Sequence, residues 1–258
     1  MALPRLMVAP NGARLTQADH PALPITLPEI IATARDCHAA GADGLHLHLR
    51  DADGGHLLDA GAYREAVQEL TAQVPDIAVQ ITTEAVGKYD PPHQRRVAMN
   101  AGASMVSASV RELCRDPKDV TQAFYRDCAD QGIAIQHILY DRDDAELLAR
   151  TLPQDLLTAP DLQLLFVLGR YAADQNSDPQ DLDPFLDWMK TQKLTPDWAV
   201  CAFGQGETES LVYAARYGGK CRVGFENARV HADGRLAKDN ADRVRAVRDA
   251  IRHFPPRV

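Results

Sequence analysis

Two histidines and an arginine alternate with leucines in the segment LHLHLR, residues 45–50. Because successive side chains of a strand point to opposite faces, His46, His48 and Arg50 share one face and the leucines share the other. Two imidazoles on one strand can ligate one metal ion, and catalytic zinc usually has three protein ligands and an open position. The segment therefore predicts either part of a metal site or two histidines hydrogen-bonded within a core.

A second polar segment near the C-terminus, CRVGFEN, places Arg222, Gly224 and Glu226 on one face of a strand. Glu226 is the candidate third ligand beside His46 and His48, and Gly224 would leave space for a bound ligand. The alternative is an ion pair between Glu226 and Arg222. Both can hold, because an arginine beside a metal-bound carboxylate can also bind a substrate carboxylate. The ligand set suits zinc, and manganese, cobalt or iron remain alternatives.

Short apolar runs alternate with amphipathic segments along the whole chain. They predict strands near 6–10, 44–49, 77–83, 104–109, 133–140, 162–169, 198–204 and 220–226, and helices near 27–41, 60–73, 92–101, 117–131, 143–151, 180–193, 207–217 and 239–253. Apolar strands separated by helices indicate a parallel sheet covered on both faces. Eight such strands and eight such helices predict a single α/β domain over residues 1–258, a (β/α)8 TIM barrel. A doubly wound sheet is the alternative, but neither G-x-G-x-x-G nor a P-loop occurs.

In a barrel, strands two and eight both neighbour strand one, and the active site forms where the strands end. The polar residues at these ends are candidate substrate or catalytic groups: Asn11, Arg14, Thr82, Thr83, Glu84, Ser107, Arg170, Arg222 and Asn227. The loop amides around Gly204 and Gly206 are predicted to hold an anion. His20 is predicted to reach the mouth from the first loop, whereas His137 in an apolar strand is predicted to be a core residue.

Composition narrows the class of protein. Five cysteines without a C-x-x-C pair indicate reduced thiols and a cytoplasmic protein. A net charge of −8 without a basic stripe argues against a nucleic-acid partner. No apolar run approaches the roughly 20 residues of a membrane span, which argues against a membrane partner.

The segment around LHLHLR resembles the β-keto acid cleavage enzyme family, and the resemblance extends over about residues 6–247. The other segments that carry it are NGARLTQADHPALPIT, FVLGRY, WAVCAFG and GGKCRVGFENARVHADGRLAKDNA. The resemblance implies a zinc-dependent barrel that converts a β-keto acid and acetyl-CoA into acetoacetate and a new acyl-CoA. It implies His46, His48 and Glu226 as zinc ligands and Arg222 as the group that orients the substrate carboxylate. It also implies polar contacts from Thr82 or Thr83 and from Ser107, and a homo-oligomer, either a tetramer or a dimer.

The sequence departs from the family's founding member at two positions. An aspartate proposed as the catalytic base follows the metal-binding glutamate there, whereas Asn227 stands here and cannot take a proton. Either another carboxylate serves as the base, with Glu84, Glu112 and Glu207 as candidates, or the chemistry differs or the protein is weakly active; Glu84 is the carboxylate counted among the candidate catalytic residues. Arg14 stands where the founding member has a glutamate that faces its substrate's amine. Arginine would repel an ammonium group, so we predict a different substrate, such as a β-keto dicarboxylic acid.

Three other functions fit parts of the pattern. A metal-dependent hydrolase on a TIM barrel also uses H-x-H, but usually on strand one, with further histidines on strands five and six. A non-catalytic binding protein would keep the metal site and lack the base because of Asn227. A lyase with a Schiff-base lysine is disfavoured, because the interior strand ends offer no suitably placed lysine.

Overall fold

The computed structural model describes residues 1–254. Eight parallel strands form a closed barrel in which each strand pairs with the next and the last pairs with the first. They are β1 Leu6–Val8, β2 Gly44–Leu47, β3 Ala78–Thr82, β4 Met105–Ser109, β5 Ala134–Leu139, β6 Gln163–Leu168, β7 Asp197–Ala202 and β8 Lys220–Val223. The predicted (β/α)8 barrel is confirmed. The predicted domain limits, 1–258, include four terminal residues outside the described part of the chain.

Eight helices surround the strands. They are α1 Leu27–Ala40, α2 Ala60–Gln73, α3 Pro91–Asn100, α4 Lys118–Asp130, α5 Arg142–Thr151, α6 Asp183–Gln192, α7 Glu207–Arg216 and α8 Asn240–Ile251. Shorter elements are the helical turns Val110–Leu113, Gln154–Leu157 and Pro179–Leu182, and a two-stranded ribbon of Leu49–Arg50 with His56–Leu57. None of the helices within residues 1–254 combines the length and apolar character that crossing a membrane requires.

Helix starts and core-facing stripes follow from local sequence. Asp141 and Asp239 each accept a hydrogen bond from the backbone amide three residues later, which satisfies a free amide at the start of α5 and of α8. The main apolar layer lies between strands and helices, and it includes the stripe of α8 formed by Val244, Val247 and Ile251. His137 is 4% exposed and faces the ring of Tyr125 at 4.9 Å, so its prediction as a core residue is confirmed.

The end of β8 differs from its prediction. The strand ends at Val223, and Glu226 lies in the following turn, where its amide donates to the carbonyl of Ala9 at 3.1 Å. Gly224 has a φ of +140°, and a Cβ there would lie 2.4 Å from the same carbonyl oxygen. The prediction that Gly224 leaves space for a ligand is therefore wrong. Glycine is required because the backbone after β1 approaches too closely for any side chain.

Candidate active site

The two histidines of the H-x-H segment and Glu226 converge at the mouth of the barrel. The Nε2 atoms of His46 and His48 are 3.1 Å apart. Glu226 Oε2 lies 3.9 Å from His46 Nε2 and 3.6 Å from His48 Nε2. Two nitrogen ligands of a tetrahedral zinc ion, at ordinary bond lengths, are about 3.3 Å apart. The three side chains therefore fit one ion of this size after movements of a few tenths of an ångström.

Strand pairing explains this convergence. Met7 of β1 is the register partner of Gly44 in β2 and of Arg222 in β8, so the two ligand-bearing segments flank β1 at the same height. Gly12, after β1, has a φ of +60°, and a Cβ there would lie 2.7 Å from Glu226 Cγ. Glycine at this position thus provides the space that the Glu226 side chain occupies.

A polar layer beneath the histidines orients one of them. His46 Nδ1 lies 2.9 Å from Gln80 Oε1, and Gln80 Nε2 donates to Gln136 Oε1 at 3.0 Å. An Nδ1–H donated to Gln80 leaves the Nε2 lone pair free for a metal ion. Both glutamines are inward residues on apolar strands, a signal that the sequence analysis did not use.

Burial favours the neutral form of both histidines. It lowers the pKa of His46 well below its ordinary value, and the nearby Arg222 and His48 lower it further. Burial likewise lowers the pKa of His48, against an opposing effect of the Glu84 carboxylate. Neutral imidazole is the form that binds a metal.

Arg222 is a buried cation with unused hydrogen-bond donors. Its Nη2 lies 3.4 Å from Glu226 Oε1 and 3.3 Å from Cys201 Sγ. Burial acts to lower the pKa of Arg222, but Cys201 and Glu226 raise it above the ordinary value. Its Nε and Nη1, and Glu226 Oε2, are buried without a partner among the described residues. These atoms are available to a ligand, because buried polar groups otherwise have partners.

The candidate metal-ligand triad, His46, His48 and Glu226, and Arg222 line a cavity of about 240 Å³. Ten of the twelve predicted site residues line it: Asn11, Arg14, His46, His48, Thr82, Glu84, Arg170, Arg222, Glu226 and Asn227. Thr83 and Ser107 do not. The Thr83 hydroxyl donates to the Ser107 carbonyl at 2.9 Å, and Ser107 is fully buried. The structure therefore gives these two residues no direct contact with the cavity.

Of the three carboxylates considered as the base, Glu84 alone lines the cavity. It pairs with Arg14 at 2.6 Å across the mouth. Glu112 accepts hydrogen bonds from the Ala85 amide and from Gln94, so its position is structural. Glu207 is buried against Arg243 behind the barrel wall.

Two asparagines complete the cavity wall. Asn11 donates to the carbonyls of Pro24 and His48, which connects the first loop to the H-x-H segment. The side chain of Asn227 has no partner on either polar atom within the described chain. Asn227 can therefore donate to or accept from a bound molecule, although it cannot accept a proton.

Sequence analysis missed Tyr140, Phe203 and Arg229, which also line the cavity. Burial raises the pKa of Tyr140 well above its ordinary value, so its hydroxyl remains a donor. Tyr140 lies two residues after the inward-facing Ile138, so strand periodicity could have identified it.

Two sequence predictions about the mouth are wrong. His20 is buried, with Nε2 at 2.9 Å from the Ala237 carbonyl and its ring against Phe225, so it does not reach the mouth. The amides of Gly204 and Gly206 already donate, to the Asn227 carbonyl and to Asn176 Oδ1 respectively, and so do not form an anion site.

Arg50, the third polar residue of LHLHLR, has a structural role. It donates to the carbonyls of Gly12, Leu15 and Gly54 and does not line the cavity. It thereby holds the first loop over the barrel.

A closed (β/α)8 barrel with a His2Glu triad beside a buried arginine defines a TIM-barrel protein with a candidate divalent-metal site at its mouth. The sequence model of one family, described as beta-keto acid cleavage enzyme, matches residues 5–258. This chain belongs to that family, as its sequence motifs predicted.

Several curated proteins are similar over almost the whole chain. The 3-keto-5-aminohexanoate cleavage enzyme of Fusobacterium nucleatum is 26% identical over 244 residues, which cover 92% of this chain and 86% of that protein. The 3-oxoadipate:acetyl-CoA acetyltransferase of Cupriavidus necator is 24% identical over 254 residues, covering 94% of this chain and 86% of the relative.

Among solved structures, ObcA in a binary complex with oxaloacetate is similar, with a TM-score of 0.69 and 16% identity. The match covers 92% of this chain, and this chain spans 65% of the length of ObcA. A type I 3-dehydroquinate dehydratase from Clostridium difficile has a TM-score of 0.61 at 12% identity, covering 98% of this chain and 92% of that one. At these identities the likeness shows the shared barrel fold.

Proposed function

We propose that this protein cleaves a β-keto acid with acetyl-CoA, giving acetoacetate and the acyl-CoA of the remaining fragment. The observation that carries the proposal is the convergence of His46, His48 and Glu226 beside the unsatisfied donors of Arg222 in one cavity. The name of one relative, 3-oxoadipate:acetyl-CoA acetyltransferase, supports it.

His46, His48 and Glu226 would hold a divalent ion, for which we propose zinc. The fit is supported by the spacing of the three donor atoms, all within 4.8 Å of one another, and by the unpartnered Glu226 Oε2. When bound, the ion supplies Lewis acidity toward a substrate oxygen.

Arg222 would bind the carboxylate of the β-keto acid. Its Nε and Nη1 have no partner among the described residues, and either can donate a charge-assisted hydrogen bond to a carboxylate oxygen. Because Arg222 is buried, this ion pair is weakly screened by water. Such a contact fixes the orientation of the substrate C2 beneath the mouth of the cavity.

Glu84 is the proposed base. Its backbone amide donates to Thr82 Oγ1 at 3.0 Å, and its carbonyl lies 2.8 Å from His56 Nε2, so both sides of the residue are anchored. Its carboxylate meets the cavity, whereas Asn227 offers only hydrogen bonds.

The proposed reaction consists of a proton transfer to Glu84, a condensation with acetyl-CoA and a cleavage by the released CoA thiolate. Glu84 accepts a proton from C2, and the resulting carbanion attacks the thioester carbonyl of acetyl-CoA. A carbon–carbon bond forms, the carbon–sulfur bond breaks, and CoA leaves as a thiolate. The thiolate then attacks the original β-keto carbonyl and the C2–C3 bond breaks. The electron pair of the broken C2–C3 bond moves to C2. C2 then takes the proton back from Glu84, and acetoacetate leaves.

The substrate is proposed to carry a second carboxylate. Arg14 lies at the rim, half exposed, with Glu84 as its partner. A distal carboxylate of the substrate can replace Glu84 at Arg14, which frees the base as the substrate binds. The relative named for 3-oxoadipate, itself a β-keto dicarboxylate, supports this substrate class.

A coupled assay tests the proposal. Zinc-loaded protein is incubated with acetyl-CoA and a panel containing 3-oxoadipate, acetone dicarboxylate and 3-keto-5-aminohexanoate, and acetoacetate is measured. We expect acetoacetate from the dicarboxylates and little from the amino compound. Metal binding without turnover of any substrate would indicate a binding protein. Hydrolysis of esters or amides without acetyl-CoA would indicate a metal-dependent hydrolase.

A pair of glutamate variants tests the base. Glu84→Gln should lower kcat at least about 100-fold, a typical size for loss of a general base. Glu112→Gln is the matched control, because Glu112 is a neighbouring half-buried carboxylate outside the cavity. Equal activity of wild type and the Glu84 variant would assign the proton transfer to another group.

The proposal also includes a cytoplasmic homo-oligomer. The five cysteines, none in a disulfide, suit a reducing compartment. Analytical ultracentrifugation of the purified protein tests the assembly, with a dimer or tetramer expected.

A further inference from the structure

We propose that the acyl-CoA lies in a groove that leads from the metal cavity to a neighbouring cavity beside β5 and β6, with Arg170 binding a phosphate of its nucleotide. This inference rests on the proposed function and assigns the CoA-binding residues within it.

The two cavities share a wall. The neighbouring cavity has a volume of about 430 Å³ and lies between the start of α5 and the segment from β6 to α6. Tyr140, Val167 and Arg170 line both cavities. The metal cavity, at about 240 Å³, is small for a complete acyl-CoA. Small-molecule sites ordinarily measure about 300–1,000 Å³, so the joined space suits an extended ligand whose reactive end lies at the metal site.

Arg170 differs from the other rim arginines because it has no carboxylate partner among residues 1–254. Arg14 pairs with Glu84 at 2.6 Å, and Arg229 with Asp19 at 3.5 Å. Arg170 instead lies over two aromatic rings, 5.3 Å from the ring centre of Phe203 and 5.8 Å from that of Tyr171. A half-buried guanidinium beside a cavity, free of a counter-ion, is a site for an anion such as a phosphate.

An exposed aromatic ring adjoins this cation. Tyr171 is 66% exposed, and its ring centre lies 5.1 Å from that of Tyr140. The Arg111 guanidinium lies over both rings, at 4.9 Å from Tyr140 and 5.3 Å from Tyr171. A supported but exposed ring offers a stacking surface for a nucleobase, a contact that tolerates any base.

The segment that carries Arg170 and Tyr171 is tied down at its far end. The Ser177 amide donates to the Phe203 carbonyl at 2.9 Å, and the Gly206 amide donates to Asn176 Oδ1 at 3.0 Å. A Cβ at Gly169 would lie 2.7 Å from the Ser177 nitrogen, so the two ends of this loop are in contact. The loop therefore presents its side chains with a low entropic cost of binding.

The charge of the groove matches the order of groups in CoA. Apart from Arg170, the charged groups of the neighbouring cavity already have partners: Asp141 pairs with Arg111 at 2.6 Å, Arg142 with Glu146 at 3.0 Å, and Asp181 accepts from the Asp178 amide at 3.0 Å. A neutral pantetheine arm suits that environment better than free phosphates would. The thioester end lies in the metal cavity, the arm crosses the shared wall into the neighbouring cavity, and the nucleotide lies back over the rim of that wall, with a phosphate at Arg170 and the adenine on Tyr171.

Binding of CoA and of pantetheine, measured by calorimetry on the zinc-loaded protein, tests this assignment. Pantetheine has the arm and thiol but none of the nucleotide phosphates. Arg170→Met should weaken CoA at least about 10-fold and leave pantetheine unchanged, because a charge-assisted hydrogen bond is lost only with CoA. Arg126→Met is the control, because it removes the same charge from a surface pair with Asp155 that lines neither cavity. Tyr171→Ala should weaken CoA and Tyr171→Trp should preserve it.

Each other outcome decides against the assignment. Unchanged CoA affinity in Arg170→Met, with acetoacetate still formed by the wild type, would overturn the groove and leave the proposed function intact. An equal loss of pantetheine affinity would show that Arg170 acts on the arm and not on a phosphate. A wild-type protein that binds neither CoA nor pantetheine would overturn the proposed function and this inference together.

Discussion

Two buried Arg–Glu pairs in the last quarter of the chain have opposite degrees of hydrogen-bond satisfaction. Arg243 donates to Glu207 and to the Thr208 hydroxyl, and its Nη1 lies 3.0 Å from His231 Nδ1. Glu207 also accepts from the Gly224 amide at 3.3 Å. By contrast, the Arg222–Glu226 pair has one contact at 3.4 Å and three buried atoms without partners.

Residue type and burial alone do not distinguish a structural pair from a functional one. Burial raises the pKa of Glu207 to about 7, while Arg243 and the Gly224 amide oppose that rise. The Arg243–Glu207 pair connects three elements, which are α7, α8 and the turn after β8. Most of its polar atoms therefore already have hydrogen-bond partners. At the mouth of the barrel, by contrast, Arg222 and Glu226 keep polar atoms without partners among the described residues, and these atoms can bind a ligand. The difference predicts opposite responses of activity and stability to matched substitutions.

The largest expected effect is on activity at the unsatisfied pair. Arg222→Met should lower kcat/KM for the β-keto acid by at least about 1,000-fold, because a substrate carboxylate loses a buried charge-assisted contact. The free energy of unfolding of the ligand-free protein should change little, because relief of the desolvation cost of a poorly paired buried charge offsets the loss of the single 3.4 Å contact with Glu226. Acetoacetate assays and urea unfolding measure the two quantities. A marked loss of stability would make this pair structural too.

The next effect is on stability at the satisfied pair. Arg243→Met should lower the free energy of unfolding by about 3–5 kcal/mol, because Glu207 is left buried without its cation. The double variant Glu207→Leu/Arg243→Met should recover much of that loss, since no uncompensated charge remains. Urea unfolding measures both. A single variant as stable as the wild type would remove the contrast between the pairs.

A smaller effect is expected from a substitution at Gly12, which lies against the Glu226 side chain. Gly12→Ala would place a Cβ 2.7 Å from Glu226 Cγ at a φ of +60°. We expect zinc affinity to fall by at least about 10-fold because a ligand is displaced, with about 1–2 kcal/mol lost in stability from the left-handed backbone. Competition with a chromophoric chelator measures the affinity. Gly54→Ala, also at positive φ but with no heavy atom within 4 Å of its added Cβ, is the control.

The smallest expected effect at neutral pH is at His137, away from both pairs, whose Nδ1 has no partner among residues 1–254. Burial lowers the pKa of His137 to about 3. Below its unfolded pKa of about 6.5 the unfolded chain therefore binds a proton that the folded protein does not, so stability falls as the pH decreases from there toward 3. His137→Gln should reduce this loss by up to about 1.4 kcal/mol per pH unit. Urea unfolding between pH 7 and pH 4 checks it, and identical pH profiles would contradict it.

The sequence by itself determined the barrel and the metal-ligand candidates. Alternating apolar runs and amphipathic segments specify strands and helices locally, because each pattern buries one kind of surface. The strand period then put His46 and His48 on one face, and the ring order of a barrel brought Glu226 within reach of them. These conclusions needed only local patterns and the adjacency of strands one, two and eight.

Only the tertiary structure decided which polar strand ends meet the cavity. Glu84, Glu112 and Glu207 were equivalent as sequence, yet Glu84 alone reaches it. Arg50 and Gly224 serve the backbone of the segment after β1 rather than a ligand. The reason is physical: a polar side chain's role depends on which partners satisfy it, and those partners lie tens to hundreds of residues away in the chain.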